Sequence, residues 1–152
     1  MKLKRKRRKK SKVEVLKARA EDLWKEICHL RDGEGCQVKK NFPEINIIHN
    51  EIYQIDHCLT RANKWYFLDV RNGTKVCSSC NLAKKNDNKS VARAIDEIVI
   101  KREGKEFFDE MIKKDQSGSP NLNFSRAWWL EDKIKGLEAQ KEWYKCDAFQ
   151  YK

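Results

Sequence analysis

The segment 54–85 constrains the fold more than any other part of this sequence. Within it lie Asp56 and His57 side by side, two asparagines at 72 and 81, and a Cys-x-x-Cys pair at 77–80. Two thiols at this spacing are typical of structural zinc sites. A carboxylate beside an imidazole is typical of metal-assisted hydrolysis. The segment therefore predicts a small core that is organised by metal ions.

Asp56 and His57 can supply the two halves of phosphodiester hydrolysis. Asp56 is a hard oxygen ligand suited to Mg²⁺ or Mn²⁺, and Asn81 offers a second oxygen. His57 can accept a proton from the attacking water if an acceptor on its other ring nitrogen fixes the tautomer. Neighbouring side chains of a regular strand point to opposite faces, so a shared site predicts a bend at Asp56-His57. Asn72 is predicted to hold the loop that carries His57 or to help orient its ring.

The spacing of these residues resembles that of the HNH, or ββα-metal, nucleases. Their pattern is Asp-His on a strand, Asn five residues before a Cys-x-x-Cys pair, and Asn or His directly after it. Here it reads Asp56-His57, Asn72, Cys77-x-x-Cys80 and Asn81. The final Asn is most similar to the phage recombination endonuclease VII branch.

A second resemblance covers most of the chain. Three segments are similar in order and spacing to the phage NinG/Rap recombination nucleases: LWKEICHLRDGEGC from Leu23, LDVRNGTKVCSSCN from Leu68 and FSRAWWLEDKIKGLEAQ from Phe124. The family acts on branched DNA such as Holliday junctions and D-loops. The resemblance therefore implies a metal-dependent DNA endonuclease in the cytoplasm of a phage-infected or prophage-carrying bacterium.

The resemblance also implies the fold class and the role of each residue. The fold would be α+β, a small ββα-metal, treble-clef-like nuclease core flanked by N-terminal and C-terminal helices. Asp56 and Asn81 would bind the catalytic Mg²⁺ or Mn²⁺, His57 would be the general base and Asn72 the supporting asparagine. A palindromic branched substrate would favour a two-fold homodimer.

The structural zinc site is incomplete in this sequence. The family usually carries Cys-x-x-Cys where this chain has Cys36-Gln-Val-Lys, so Cys36, Cys77 and Cys80 leave Zn²⁺ one ligand short of a tetrahedron. The fourth ligand stays open between Cys28, Cys58 and water. The alternative is three buried thiols without zinc.

The segment 1–12 is strongly basic. It holds nine of the 34 Lys and Arg residues and no acidic residue, in a chain with a formal net charge of +11. Such a block cannot pack, and its predicted partner is a polyanion, although a solubilising or targeting tail is the alternative. The predicted nucleic-acid contacts in this tail and in the core are Lys4, Arg5, Arg7, Arg8, Lys39, Arg61, Lys64, Lys84 and Lys85.

Composition and apolar periodicity divide the chain into a disordered basic tail (1–12), a core with its N-terminal helix (13–115) and a C-terminal helical extension (116–152). The resemblance implies that the core is the HNH nuclease. Helices are predicted at 13–31, directly after Cys80, and at 91–101, 105–113 and 125–145. Strands are predicted near 51–55 and at 65–70, a turn is predicted at 71–73, and 36–40 is predicted to be extended. No apolar run reaches the roughly 18 residues that span a bilayer, and the start lacks the apolar region of a signal peptide. We therefore expect an intracellular protein without a membrane partner.

Two other functions fit the same composition. A non-catalytic, basic DNA-binding or recombination-assembly factor would keep the fold and lose the chemistry. A zinc-ribbon-like partner of RNA or the ribosome is favoured only by the basic tail. The joint presence of Asp56, His57 and Asn81 favours the endonuclease, because a purely structural role does not require all three.

Overall fold

A computed structural model describes residues 9–59 and 64–150 of the chain. Within these ranges the strands β1 (Tyr53–His57) and β2 (Gly73–Cys77) form a two-stranded antiparallel sheet. The helices are α1 (Lys12–Asp32), α2 (Gln37–Asn41), α3 (Ser78–Lys85), α4 (Lys89–Glu103), α5 (Lys105–Gln116) and α6 (Ala127–Gln150), and short 3-10 turns cover Val70–Asn72 and Leu122–Ser125. The predicted α+β class is confirmed.

The two strands separate two hydrophobic cores. They pair from Tyr53 opposite Cys77 to His57 opposite Gly73, so alternate residues face opposite sides. On one side Ile55 joins the α1/α6 core, formed by Ala20, Trp24, Ile27, Cys28, Phe67, Leu68, Val70, Phe124, Leu130, Ile134 and Leu137. On the other side Val76 joins the α4/α5 core, formed by Cys36, Val38, Cys58, Cys77, Cys80, Val91, Ala94, Ile95, Ile98, Val99, Phe108 and Met111.

Helix α1 begins at a capping box and lies against the sheet. The Ser11 hydroxyl accepts from the Glu14 N–H, and the Glu14 carboxylate accepts from the Ser11 N–H, which satisfies two free donors of the first turn. Trp24 and Cys28, one turn apart on its buried face, approach β2 at Gly73. A Cβ atom on Gly73 would lie 2.6 Å from the Cys28 sulfur and 2.7 Å from Trp24. The close packing of α1 on β2 therefore requires glycine at this position.

Three local predictions are wrong. Residues 65–70 do not form the second strand, because Phe67, Leu68 and Val70 instead turn their side chains into the α1/α6 core from irregular chain. The second strand begins later, at Gly73, where a turn was predicted. Residues 36–40 are not extended, since Cys36 directly precedes helix α2.

The last helix was predicted to begin at Ser125. It begins at Ala127, because Ser125 belongs to the preceding 3-10 turn. In the part of the chain that the structure describes, none of the helices combines the length and the apolar character needed to cross a bilayer.

Candidate functional site

Four side chains that commonly ligate metals converge at the Tyr53–Cys77 end of the strand ladder. Their ligand atoms all lie within 4.8 Å of one another. The residues come from the residue before α2, the segment before β1, the end of β2 and the first turn of α3: Cys36, His49, Cys77 and Cys80. We call them the Cys/His cluster.

The distances within the Cys/His cluster suit a tetrahedral ion. Zn–S bonds of about 2.3 Å place two thiolates of a tetrahedron about 3.8 Å apart. The sulfurs of Cys36 and Cys80 are 3.8 Å apart. His49 Nδ1 lies 3.3 Å from the Cys77 sulfur and 3.4 Å from the Cys80 sulfur. The group can therefore hold a metal ion, and three sulfurs with one imidazole are donors that zinc accepts.

The Cys77 thiol is prepared for ionisation. Burial alone would raise its pKa, but hydrogen bonds that its sulfur accepts from the backbone N–H groups of Cys80 and Asn50 and from the His49 ring lower that pKa to about 6. The thiolate is the form that binds a metal. The thiolate is therefore favoured at Cys77, whereas burial and the neighbouring thiols raise the pKa of Cys80.

Neither of the two thiols considered as a fourth ligand lies in the cluster. The Cys28 thiol donates to the Val70 carbonyl oxygen at 3.7 Å, and the Cys58 thiol donates to Asp96 Oδ1 at 3.2 Å, so neither is in the cluster. Sequence reasoning missed His49. It stands alone in a segment without apolar periodicity, and no regular spacing relates it to the thiols.

A cavity of about 450 Å³ opens at the other end of the ladder, beside Asp56. Five of the residues that line it were predicted as site residues, and β1 and α3 supply all five. The lining consists of Asp56, His57, Cys58, Leu59, Asn81, Lys84 and Lys85. We call it the Asp56 cavity.

The Lys84 ammonium lies against the Asp56 carboxylate inside this cavity. Lys84 Nζ is 2.5 Å from Asp56 Oδ2, and it donates to the carbonyl oxygens of His57 at 2.6 Å and of Cys58 at 3.3 Å. The two side chains are only 20% and 12% exposed. Three oxygens here already hold one cation, which shows that the cavity suits a positive ion. The predicted contact of Lys84 with nucleic acid would compete with these bonds.

Asn81 is fixed on α3 by a neighbour of Asp56. Its side-chain nitrogen donates to Gln54 Oε1, and Gln54 lies two residues before Asp56 on the same face of β1. Asn81 itself is buried. Since its nitrogen is engaged, its amide oxygen is the atom that remains to contact a cation.

His57 lies on the face of β1 opposite to Asp56. The ladder stays regular through both residues, so the predicted bend is wrong. The His57 ring stacks between Trp24, at 4.2 Å between ring centroids, and Phe67, at 4.7 Å. Its Nε2 donates to the Phe67 carbonyl oxygen at 2.9 Å. This is the predicted acceptor on one ring nitrogen, and it makes Nδ1 the basic nitrogen.

Asn72 holds the chain that follows β1. Its side-chain oxygen accepts from the Leu59 N–H at 2.9 Å, and its side-chain nitrogen donates to the Tyr66 carbonyl at 3.1 Å. Its own carbonyl accepts from the Cys58 N–H at 2.8 Å. Asn72 therefore fastens both flanks of the segment after His57 from a position just before β2.

The other predicted phosphate contacts are dispersed. Lys85 is exposed at the edge of the Asp56 cavity. Lys39 is exposed on α2, and the Lys64 ammonium lies 4.2 Å above the centre of the Phe67 ring; neither is among the described residues that line the cavity. The remaining ones lie outside the described residues: Lys4, Arg5, Arg7, Arg8 and Arg61.

The fold and the two clusters together define an α+β protein with a candidate metal centre at one end of a short sheet and a polar cavity at the other. Comparison of the chain with family models, curated proteins and solved structures gave no match. The roles of the individual residues therefore rest on geometry and on the resemblance of the motif.

Proposed function

We propose that this protein is a metal-dependent DNA endonuclease of the HNH type, which hydrolyses phosphodiester bonds in branched recombination intermediates. One observation carries the proposal: β1 and α3 bring Asp56 and Asn81 to a single cavity whose oxygens already bind a cation, the Lys84 ammonium. The preference for branched DNA, the bacterial or phage setting and a homodimer are proposed from the motif resemblance alone.

Asp56 and Asn81 are the residues that would hold Mg²⁺ or Mn²⁺. A carboxylate and an amide oxygen are hard donors of the kind these ions prefer, and two protein ligands leave positions for water and phosphate. Such an ion supplies charge stabilisation on the phosphate and on the leaving oxygen. The side-chain bond between Gln54 and Asn81 would keep the amide in place for this role.

The motif resemblance makes His57 the general base, and Nδ1 would be the nitrogen that takes the proton. Because the ring lies on the face of β1 opposite to Asp56, it must turn toward the Asp56 cavity to do so. Its Nε2 is committed to the Phe67 carbonyl, and the rings of Trp24 and Phe67 hold its plane. In the proposed reaction a water oxygen attacks phosphorus, its proton passes to His57, and the 3′ oxygen leaves, which gives a 5′ phosphate. Asn72 supports the reaction indirectly, because it fastens the chain on both sides of the segment that follows His57.

We also propose that the Cys/His cluster binds a structural Zn²⁺ and that the basic tail 1–12 binds DNA phosphates. The cluster joins four separate parts of the chain, so one ion there would fix α2, β2 and α3 together. Its donors are separate from those of the Asp56 cavity. Structural zinc and a catalytic ion could therefore bind independently.

A second candidate function is a non-catalytic DNA-binding recombination or assembly factor. Two observations favour it: Lys84 neutralises the carboxylate that a catalytic ion needs, and the His57 side chain is buried between two aromatic rings. Both functions predict DNA binding. Only the endonuclease predicts metal-dependent cleavage.

The test is cleavage of a labelled four-way junction and of a linear duplex of the same sequence, with Mg²⁺, Mn²⁺ or EDTA. Asp56→Asn and His57→Ala should reduce cleavage by roughly 10²- to 10⁴-fold and retain DNA binding. His29→Ala is the matched control, because His29 lies on α1 outside the Asp56 cavity, and it should cleave like wild type.

Thermal unfolding of each variant shows whether loss of activity reflects loss of fold, since His57→Ala also empties the space between Trp24 and Phe67. DNA binding without cleavage under every metal condition would favour the assembly factor. Equal cleavage by wild type and by a folded His57→Ala would remove His57 from the reaction.

A further inference from the structure

Lys84 is bound more extensively than an ordinary surface lysine. A surface ion pair usually joins two mobile side chains in water and stabilises little. Here one ammonium contacts the Asp56 carboxylate and two backbone carbonyls at the end of β1, and its side chain is mostly buried. The carbonyl oxygens of His57 and Cys58 cannot move away without disturbing the strand. The position of the ammonium is therefore determined by the fold.

This position conflicts with the proposed catalytic ion. A divalent cation on Asp56 would bring a second positive charge to a carboxylate whose Oδ2 Lys84 already contacts at 2.5 Å. Two cations at such a distance repel each other strongly in a partly desolvated cavity. Lys84 must then leave the carboxylate, although the two backbone carbonyls can keep its ammonium at the cavity.

Two further charged residues lie near the displaced ammonium, and one of them is a carboxylate that can keep it close to the cavity. Asp96 on α4, whose Oδ1 accepts from the Cys58 thiol, is a second carboxylate on this side of the sheet. Burial raises the pKa of Asp96, and the nearby Lys84 charge counteracts that effect. Lys85, next in the chain, lines the same cavity and is exposed. The cavity entrance is therefore rich in positive charge once a metal neutralises Asp56.

We propose that Lys84 is a built-in counter-ion of Asp56, which a divalent cation must displace, and that the displaced ammonium then binds a DNA phosphate. Lys84 is thus a positioning residue that couples metal binding to DNA binding, an inference that rests on the proposed function. Without metal it neutralises the Asp56 carboxylate. With metal, the phosphate takes the place of the carboxylate as its partner. By thermodynamic linkage, each ligand then raises the affinity for the other.

The experiment is a titration of the zinc-loaded full-length protein with Mn²⁺, followed by the paramagnetic resonance signal of free Mn²⁺. Without DNA, Lys84→Met should bind Mn²⁺ at least about tenfold more tightly than wild type, the scale of one lost competing charge-assisted hydrogen bond. A duplex with phosphorothioate linkages, which resist hydrolysis, should raise the Mn²⁺ affinity of wild type several-fold more than that of Lys84→Met.

Lys85→Met is the matched control. It removes one positive charge from the same cavity lining without removing a contact to Asp56, so its Mn²⁺ affinity without DNA should stay within about twofold of wild type. Thermal unfolding with zinc bound shows that each variant is folded. Asp56→Asn should abolish the tight Mn²⁺ binding of wild type and of Lys84→Met alike.

Failure of this inference and failure of the proposed function give different results. Equal Mn²⁺ affinities of wild type and Lys84→Met, both lost in Asp56→Asn, would overturn the counter-ion role and leave the metal site of the endonuclease intact. Absence of Asp56-dependent Mn²⁺ binding in every variant would overturn both. An equal effect of DNA on the two proteins would overturn the coupling through phosphate.

Discussion

The two ends of the β1–β2 ladder carry polar clusters that differ in how their charges are balanced. At the Tyr53–Cys77 end, the Cys/His cluster brings four electron-pair donors within 4.8 Å of one another. At the His57–Gly73 end, a carboxylate already has an ammonium against it. The first cluster needs protons or a metal ion to offset the repulsion between its donors. In the second, Lys84 already neutralises the Asp56 carboxylate without any metal ion.

This difference separates a structural role from a functional role for bound metal. A two-stranded sheet is only marginally stable in water, so each end of the ladder needs fastening. Metal at the Cys/His cluster would contribute to folding itself, because it joins α2, β2 and α3. Metal at the Asp56 cavity would replace an existing ion pair and would change stability little. The following predictions test this contrast.

The largest effect is expected at the Cys/His cluster. Zinc binding contributes on the order of 10 kcal/mol in small zinc-dependent domains, so a strong chelator should lower the unfolding temperature far more than removal of Mg²⁺ does. His49→Ala removes one of four ligands and should weaken zinc binding by about 100-fold or more, since even outer contacts of metal ligands are worth about 10- to 100-fold. Competition with a chromophoric zinc chelator measures the affinity.

His49→Cys and His29→Ala are the controls for this prediction. His49→Cys restores a fourth zinc donor and should recover most of the affinity. His29 lies on α1 and is not part of the cluster, so His29→Ala should bind zinc like wild type. Unchanged zinc affinity in His49→Ala would exclude His49 as a ligand and leave the two ends of the ladder less different than the structure indicates.

A smaller effect is expected at the other end, from Gly73→Ala. The added methyl group would approach the Cys28 sulfur at 2.6 Å, Trp24 at 2.7 Å and Ile55 at 3.1 Å, so α1 and β2 must separate. Overpacking of this kind costs about 1–3 kcal/mol, which denaturant unfolding would measure. Because Gly73 pairs with His57, cleavage should fall as well.

Gly136→Ala is the matched control. Gly136 lies inside α6 with nothing within 4 Å of the added Cβ, so alanine should stabilise the protein by up to about 1 kcal/mol. Equal stability changes of the same sign in both variants would show that α1 does not pack as closely on β2 as the structure has it.

Local patterns in the sequence predicted the helices better than the strands. Apolar residues three and four apart locate α1, α4 and α5 to within a few residues, because a buried helical face needs that spacing. The segment 65–70 misled the strand prediction. Its aromatic and branched residues fit a strand, but they pack into the α1/α6 core from irregular chain. Packing between distant segments decides such cases.

The residues of the candidate site were likewise predicted only in part. The motif located Asp56 on a strand and Asn81 on a helix, and both residues line one cavity. The motif succeeds here because the spacing of its residues reflects how the strand and the helix pack together. His49 and the ion pair of Lys84 with Asp56 could not be predicted. Both depend on contacts between segments far apart in sequence, and neither residue type signals its partner.

The smallest effect is expected from Thr74→Val, opposite Asp56 in the ladder. Thr74 is fully buried, and its hydroxyl has no hydrogen-bond partner among the residues that the structure describes. Valine has nearly the same shape and removes the cost of a buried polar group without a partner, so stability should stay equal or rise by up to about 1 kcal/mol. Denaturant unfolding of the zinc-loaded protein measures this, with Thr74→Ser as a control that keeps the hydroxyl and loses a methyl group. A clear loss of stability in Thr74→Val would show that the hydroxyl has a partner in solution. If Thr74→Val also lowered the Mn²⁺ affinity, that partner would belong to the cation site. The stability of the Asp56 end would then depend on bound ions and not only on the ion pair of Lys84 with Asp56.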